Sequence, residues 1–92
     1  MDIMDEIKKH IENNKIIIFM KGSPEQNLCE YTNIIIKLIE KENIKYNYIN
    51  IIENYDIKKK ISLYNGIYKF PQIYINKKLI NDYYIFLELY KK

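Results

Sequence analysis

The single cysteine of the sequence, Cys29, stands where an apolar run and a loop give way to a helical pattern. The run Ile16–Met20 ends at Lys21, and the loop that follows contains glycine and proline. A thiol in the first turn of a helix faces backbone N–H groups without intrahelical partners and the positive end of the helix dipole. Both favour the thiolate, which is the nucleophilic and metal-binding form of cysteine. Cys29 is therefore the candidate reactive residue, and Lys21 is a cation that could reach the same pocket.

The same spacing also fits an unreactive Cys29 that fills a gap between helix and strand. Thr32, not a second cysteine, stands three residues later, so a Cys-X-X-Cys dithiol mechanism is excluded. One cysteine and one distant histidine, His10, do not make a structural zinc site, and we expect His10 at the surface. A single cysteine gives no internal disulfide and fits a reducing intracellular compartment, either the cytoplasm or an organelle matrix.

Pro71 is a second candidate, because it opens a strand directly after Phe70. Proline is tolerated there since its missing N–H lies at the end of the hydrogen-bond ladder. A cis bond would expose the Phe70 backbone N–H and C=O toward a ligand, and the sequence leaves the isomer open.

Composition restricts the partners. The 92 residues are enough for one domain, 1–92, and carry a net charge of +3. The lysine block at 58–60 is interpreted as a solvated helix face, and the ten tyrosines are scattered without an RNA-binding motif, so no nucleic-acid partner is expected. No apolar run approaches the roughly 18–20 residues of a membrane span, and the N-terminal residues show neither a secretory nor a transit-peptide pattern.

Hydrophobic periodicity predicts an α/β domain with the order α-β-α-β-α-β-β-α. Helices are predicted at 2–13, 29–41 and 55–64, with a last helix capped at 81–82 and extending to 90; strands are predicted at 15–20, 45–49, 72–76 and 77–80. The helix between the first two strands implies a parallel right-handed crossover, and Asn76-Lys77 suits a hairpin turn. The result is a four-stranded mixed sheet flanked by helices. The predicted apolar face of the second helix is Tyr31, Ile34, Ile35, Leu38 and Ile39.

The element order, the lone cysteine and the proline before the hairpin together resemble a thioredoxin-fold glutaredoxin. Monothiol glutaredoxins typically read Phe-Met-Lys-Gly-Thr-Pro, a short insertion, and then Cys-Gly-Phe-Ser. This chain reads Phe19-Met20-Lys21-Gly22-Ser23-Pro24-Glu25, three residues, and Cys29. The stretch 70–76 resembles the family's Pro-Gln-Leu-Tyr-Val-Asn segment, and 85–90 resembles its Ile-Val-Leu-Glu-Met-Tyr helix. The resemblance covers essentially the whole chain.

The resemblance implies roles for individual residues. Cys29 matches the thiol that binds glutathione or ligates a shared [2Fe–2S] cluster. Lys21 matches the lysine beside the glycine carboxylate of glutathione, and Lys58 stands where the family often has an arginine for the same carboxylate. Phe70, before Pro71, matches the residue whose backbone pairs with the cysteinyl part of glutathione.

The remaining implied ligands lie near the end of the chain, where this sequence also departs from the family pattern. Tyr83 and Tyr84 stand where the family has Cys-Asp, which holds the γ-glutamyl end of glutathione. Asn81-Asp82 replaces the Gly-Gly pair before the last helix, and Lys69 replaces a threonine. Glu30 replaces the glycine after the active cysteine and adds a carboxylate, which opposes thiolate formation.

Three functions are compatible with these residues. In the first, two protomers share a [2Fe–2S] cluster through one Cys29 each and two glutathione thiolates, and deliver it to iron–sulfur client proteins. In the second, Cys29 attacks glutathione mixed disulfides and a free glutathione resolves the product. In the third, the chain is a thioredoxin-fold adaptor that binds no glutathione, as the changes at Glu30, Asn81 and Tyr84 suggest.

Overall fold

Strand β1, Ile16–Met20, is the central strand of the fold, and all five of its side chains are buried. The computed structural model describes residues 2–80. Within that range the chain order is α1 (Ile3–Asn13), β1, α2 (Glu30–Lys41), β2 (Asn47–Asn50), α3 (Tyr55–Asn65), β3 (Gln72–Ile75) and β4 (Lys78–Ile80). The predicted last helix lies outside the described residues. None of the helices within 2–80 combines the length and the apolar composition that crossing a bilayer demands.

The sheet has the strand order β2-β1-β3-β4. β1 runs parallel to β2, with Met20 opposite Asn50, and antiparallel to β3, with Phe19 opposite Gln72. β3 and β4 form the antiparallel hairpin that the sequence predicts. Its two turn residues, Asn76 and Lys77, have φ of 50° and 68°, as a type I′ turn requires. The predicted four-stranded mixed sheet is confirmed.

The two faces of β1 belong to two separate hydrophobic clusters, because successive side chains of a strand point to opposite sides. Ile16, Ile18 and Met20 pack with α2, whereas Ile17 and Phe19 pack with α1 and α3. The uninterrupted apolar run of β1 is therefore explained by helices that cover both sides of the sheet.

The predicted apolar face of α2 included Ile34 wrongly and missed Thr32 and Ile36. Ile34 is 41% exposed, and the buried residues are Thr32, Ile35, Ile36 and Ile39. At 3.6 residues per turn this buried set forms one stripe, and Ile34 falls roughly on the opposite side of the helix. Three consecutive isoleucines hide which of them faces the core, so the run Ile34-Ile35-Ile36 allowed the wrong choice.

Helix ends agree closely with the predicted stop and start signals. Gly66 ends α3 in the left-handed conformation with φ of 65°. Asn54 is the N-cap of α3 as predicted, but its side chain donates to the Asn50 carbonyl oxygen at 3.0 Å instead of capping the helix. Cys29 is itself the N-cap of α2, so the helix begins at Glu30, one residue later than predicted.

Candidate functional site

Topology brings the predicted site residues to one edge of the sheet. β1 ends at this edge and continues into Lys21, and α2 begins there after the loop, with Cys29 as its N-cap. β2 is parallel to β1, so α3 and its Lys58 also start at this edge. β3 is antiparallel to β1 and begins here at Gln72, directly after Pro71. The carboxyl end of β1 therefore meets two helix N-termini and the start of β3.

The loop after β1 is folded back on itself. Ser23 and Gln26 exchange backbone hydrogen bonds, with Ser23 N donating to Gln26 O at 3.2 Å and Gln26 N donating to Ser23 O at 3.1 Å. Gly22 has φ of 99°, and a Cβ at this position would overlap the Gln26 carbonyl oxygen. The glycine of the motif is thus required both by its backbone conformation and by the closeness of the loop.

Two asparagines that the sequence analysis did not single out hold this loop. The Asn50 Oδ1 atom, at the end of β2, accepts from Gly22 N at 2.9 Å and from Ile52 N at 3.0 Å. The Asn27 Oδ1 atom accepts from Cys29 N at 3.2 Å. An asparagine two residues before a helix cap is typical of an Asx turn, and that signal could have identified Asn27. Asn50 makes a bond of the same local kind to Ile52 N, but its bond to Gly22 carries no local signal, because Gly22 is distant in sequence.

Cys29 is exposed, so its interpretation as a buried residue filling a gap between helix and strand is wrong. Partial burial of the sulfur tends to raise the pKa of Cys29. Hydrogen bonding from the Thr32 hydroxyl and from the backbone N–H groups of Thr32 and Tyr31, together with the charge of Lys21, outweighs burial and lowers the pKa below its ordinary value. The start of α2 therefore favours the thiolate, as the sequence predicts for a helix N-terminus. Thr32 is a contributor that the sequence analysis treated only as the residue in place of a second cysteine.

Four of the other predicted ligands of glutathione, Lys21, Lys58, Phe70 and Pro71, belong to the segments that meet at this edge of the sheet. Lys21 is exposed, and Lys58 is half-buried near the N-terminus of α3. Phe70 is half-buried against the cluster of α1 and α3, and it precedes the first paired residue of β3. The Phe70–Pro71 bond is cis, which answers the question that the sequence left open. The binding roles of these residues stay predictions.

Four residues named in the sequence analysis, namely Asn81, Asp82, Tyr83 and Tyr84, lie outside the described residues. Glu30, which the resemblance marks as a departure, is exposed in the first turn of α2. An acidic residue in this position is favourable for the helix dipole even though it stands next to the thiol.

Cys29 is the candidate metal ligand of this chain, and one thiolate alone does not complete a metal site. Residues 2–80 contain no group of three or more His, Cys, Asp and Glu side chains placed to hold a metal ion. Cys29 is the only cysteine of the whole sequence, so each chain offers one thiolate ligand. A metal group on Cys29 would therefore take its remaining ligands from other molecules.

Comparisons with known proteins show the family of the chain. A protein-family model for glutaredoxin matches residues 16–80, a span that includes both Cys29 and Pro71. Glutaredoxin 4 of Buchnera aphidicola subsp. Baizongia pistaciae is 37% identical over 91 residues, which are 99% of this chain and 84% of that protein. The uncharacterized monothiol glutaredoxin ycf64 of Porphyra purpurea is 38% identical over 96 residues, covering 100% of this chain and 88% of that protein.

Solved structures give the same result for the fold. The solution structure of reduced poplar apo GrxS14 superposes with a TM-score of 0.76 at 25% identity, covering 97% of this chain and 82% of that one. A buckwheat glutaredoxin–glutathione complex gives a TM-score of 0.71 at 18% identity, covering 85% and 69% of the two chains. With its single thiol at the start of α2 and its cis-proline at the start of β3, the chain belongs to the monothiol glutaredoxins of the glutaredoxin family and has their thioredoxin-like fold.

Proposed function

We propose that this chain binds glutathione at the edge formed by Cys29, Lys21 and Phe70, and that two copies hold a [2Fe–2S] cluster as cargo for iron–sulfur client proteins. The observation that carries the proposal is the exposed Cys29 at the N-cap of α2, whose surroundings lower the pKa of the thiol. The thiolate is the form of cysteine that ligates iron and reacts with disulfides.

The charges at this edge suit glutathione, an anionic tripeptide with two carboxylates. Lys21 and Lys58 supply cations for the glycine carboxylate, although neither offers the bidentate fork of an arginine. The Phe70 backbone, which lies before the paired residues of β3, is available for the cysteinyl part. The family resemblance assigns the γ-glutamyl end to Tyr83 and Tyr84, which lie outside the described residues. A related fold in the buckwheat protein has been solved as a glutathione complex.

The donor set of one chain also determines the assembly that we propose. A [2Fe–2S] cluster takes four thiolate ligands. One Cys29 from each of two chains gives two, and two glutathione thiolates give the others. In this arrangement Cys29 binds iron, the lysines and the Phe70 backbone orient glutathione, and the cluster is the substrate that passes to a client.

The lowered pKa of Cys29 also supports a second candidate function, the reduction of glutathione mixed disulfides. The Cys29 thiolate attacks the glutathione sulfur, a Cys29–glutathione disulfide forms, and the client leaves as a thiolate that takes up a proton. A free glutathione thiolate then attacks the mixed disulfide, which regenerates Cys29 and releases oxidised glutathione.

Titration of the ¹⁵N-labelled protein with reduced glutathione tests the binding site. We expect amide shifts at Lys21, Cys29 and Phe70, and several-fold weaker binding for Lys21→Gln. Lys45→Gln is the matched control, because it removes the same charge before β2, at the opposite edge of the sheet. If millimolar glutathione shifts none of these amides, the proposal fails and the adaptor function is favoured.

Anaerobic reconstitution with iron, sulfide and glutathione tests the cargo. We expect a coloured dimer by ultracentrifugation that requires glutathione, and Cys29→Ser should abolish both the colour and the dimer. A colourless monomer with rapid deglutathionylation of a model substrate would favour the second candidate, and colour that persists in Cys29→Ser would contradict the role of the thiol.

A further inference from the structure

Asn27 connects three parts of the thiol edge with one carboxamide. Its Nδ2 atom donates to the Ser23 carbonyl oxygen at 2.9 Å and to the Asn33 Oδ1 atom at 2.9 Å. Its Oδ1 atom accepts from Cys29 N at 3.2 Å. Ser23 belongs to the loop, Asn33 to α2, and Cys29 is the N-cap between them. Both amide hydrogens and the oxygen of Asn27 are therefore in use.

Neither aspartate nor alanine satisfies the same set of partners. Aspartate has the shape of asparagine but would place a carboxylate against two acceptors, the Ser23 carbonyl and the Asn33 Oδ1 atom. Alanine would leave the Cys29 N–H and both acceptors without this partner. The role of Asn27 is thus specific to an amide, and a general preference for polar loop residues does not account for it.

The contacts of Asn27 also fix how the chain enters α2. Leu28, between Asn27 and Cys29, is completely exposed, so its side chain contributes no packing that could hold this segment. The hydrogen bonds that hold this segment are those of Asn27 to the loop, to Cys29 N and to α2, together with the bond that Asn33 N donates to Cys29 O at 3.0 Å. The orientation of Cys29 relative to the first turn of α2 consequently depends on these bonds.

We propose that Asn27 is a positioning residue for the Cys29 thiol, holding the N-cap so that the sulfur faces the hydroxyl and backbone N–H groups at the start of α2. This inference rests on the proposed function only in taking Cys29 as the working thiol. Asn27 acts through the backbone of Cys29, and nothing in its own contacts requires it to touch glutathione.

The pH dependence of Cys29 alkylation by iodoacetamide tests the inference, because it measures the thiolate without any ligand. In Asn27→Ala we expect the midpoint of this profile to move to higher pH and the alkylation rate at neutral pH to fall several-fold. Asn33→Ala keeps the bond to Cys29 N and should give a smaller change in the same direction. The double variant should be no slower than Asn27→Ala, because Asn33 acts on the thiol through Asn27.

The control is Asn14→Ala, which likewise removes side-chain hydrogen bonds of an asparagine, in this case one to His10 O and one from Asn47 Nδ2. Asn14 precedes β1 and lies at the opposite edge of the sheet, so its loss should lower stability without moving the alkylation profile. Circular dichroism confirms that each variant is folded. A wild-type profile in folded Asn27→Ala overturns the inference. An altered profile in a protein that fails to bind glutathione leaves the inference standing and rejects the proposed function.

Discussion

At the scale of single residues, the reactivity of Cys29 is decided by a balance between burial and hydrogen bonding. Partial burial opposes the charged sulfur, while the Thr32 hydroxyl, two backbone N–H groups and the Lys21 charge support it. Hydrogen bonds to a charged group are stronger than those between neutral groups. The net pKa of Cys29 is consequently lowered, and each contributing donor can be tested separately.

Thr32→Val tests the strongest of these donors, since the change keeps the shape of a side chain that is buried in α2. Losing the hydroxyl should raise the pKa of Cys29 and slow its alkylation at neutral pH several-fold. The pH profile of iodoacetamide alkylation measures the effect. Ser62→Ala is the control, because it removes a buried hydroxyl from α3. If the alkylation profile of Thr32→Val matches those of Ser62→Ala and the wild-type protein, the Thr32 hydroxyl does not stabilise the Cys29 thiolate.

Much of the site at this scale could be predicted from residue spacing, but its hydrogen bonds could not. The position of Cys29 after a loop and before a helical pattern predicts a thiol at a helix N-terminus, where the thiolate is favoured. Thr32 looks like an ordinary polar residue of a helix, and the Asx-turn signal of Asn27 does not reveal its bonds to Ser23 O and Asn33 Oδ1. Their importance appears only when the carbonyls, amides and sulfur that they meet are placed in space.

At the scale of elements, Asn50 joins the loop after β1 to the connection between β2 and α3. Its Oδ1 atom accepts from Gly22 N and from Ile52 N. Asn50→Ala leaves both N–H groups without this acceptor and should lower the free energy of unfolding by about 1–3 kcal/mol. Amide exchange at Gly22 should also become faster. Asn50→Asp retains an acceptor at the same position and should lose much less stability.

Urea unfolding and amide hydrogen exchange measure the two effects. Asn47→Ala serves as the control, because it removes a single bond to the Asn14 Oδ1 atom at the other end of β2. If amide exchange at Gly22 is as slow in Asn50→Ala as in the wild-type protein, Asn50 does not hold the loop. The same conclusion follows if exchange at Gly22 becomes equally fast in Asn47→Ala.

Element type and order could be predicted here because the periodicities of strands and helices differ clearly. The boundaries were less certain where side chains of one kind follow each other, as at Ile34-Ile35-Ile36. β2 also begins at Asn47 and not at position 45, and its side chains are mostly exposed or half-buried. An edge strand with little burial leaves a weak pattern, so sequence alone places its ends poorly.

At the scale of the whole molecule, stability should depend on the two clusters on either side of β1. Ile18 is 0% exposed and packs in the cluster of α2. Ile18→Ala should lower the free energy of unfolding by about 2–5 kcal/mol, through lost apolar contact and the cavity left behind. Ile52→Ala is the control, because Ile52 is 69% exposed and its loss should cost under about 0.5 kcal/mol. Similar losses for both variants in urea unfolding would contradict a core centred on β1.

The stability of the folded chain in alkali should fall between about pH 10 and pH 12 because of Tyr46. The pKa of Tyr46 is raised from an ordinary 10.0 to about 12. The causes are burial of the ring, the charge of Glu40, and the hydrogen bond that the Tyr46 hydroxyl donates to Glu40 Oε2 at 3.3 Å. The charge of Glu25 adds to the effect. The unfolded chain therefore releases this proton at a lower pH than the folded chain does. The stabilisation is fully present below about pH 10 and is lost as the pH rises through about 12.

Tyr46→Phe keeps the ring against the cluster of α2 and removes the titrating hydroxyl. At pH 7 the variant should be slightly less stable, by about 0.5–1.5 kcal/mol for one hydrogen bond. Between pH 10 and pH 12 the difference should shrink, because only the unmodified protein loses the contribution of this hydroxyl. Urea unfolding of both proteins across this range measures the difference, and Tyr55→Phe, at a residue that is 67% exposed, controls for the loss of a hydroxyl alone. If the difference in free energy of unfolding between the two proteins stays constant from pH 7 to pH 12, Tyr46 ionises equally easily in the folded and unfolded chains. Glu40 would then not keep the Tyr46 hydroxyl protonated.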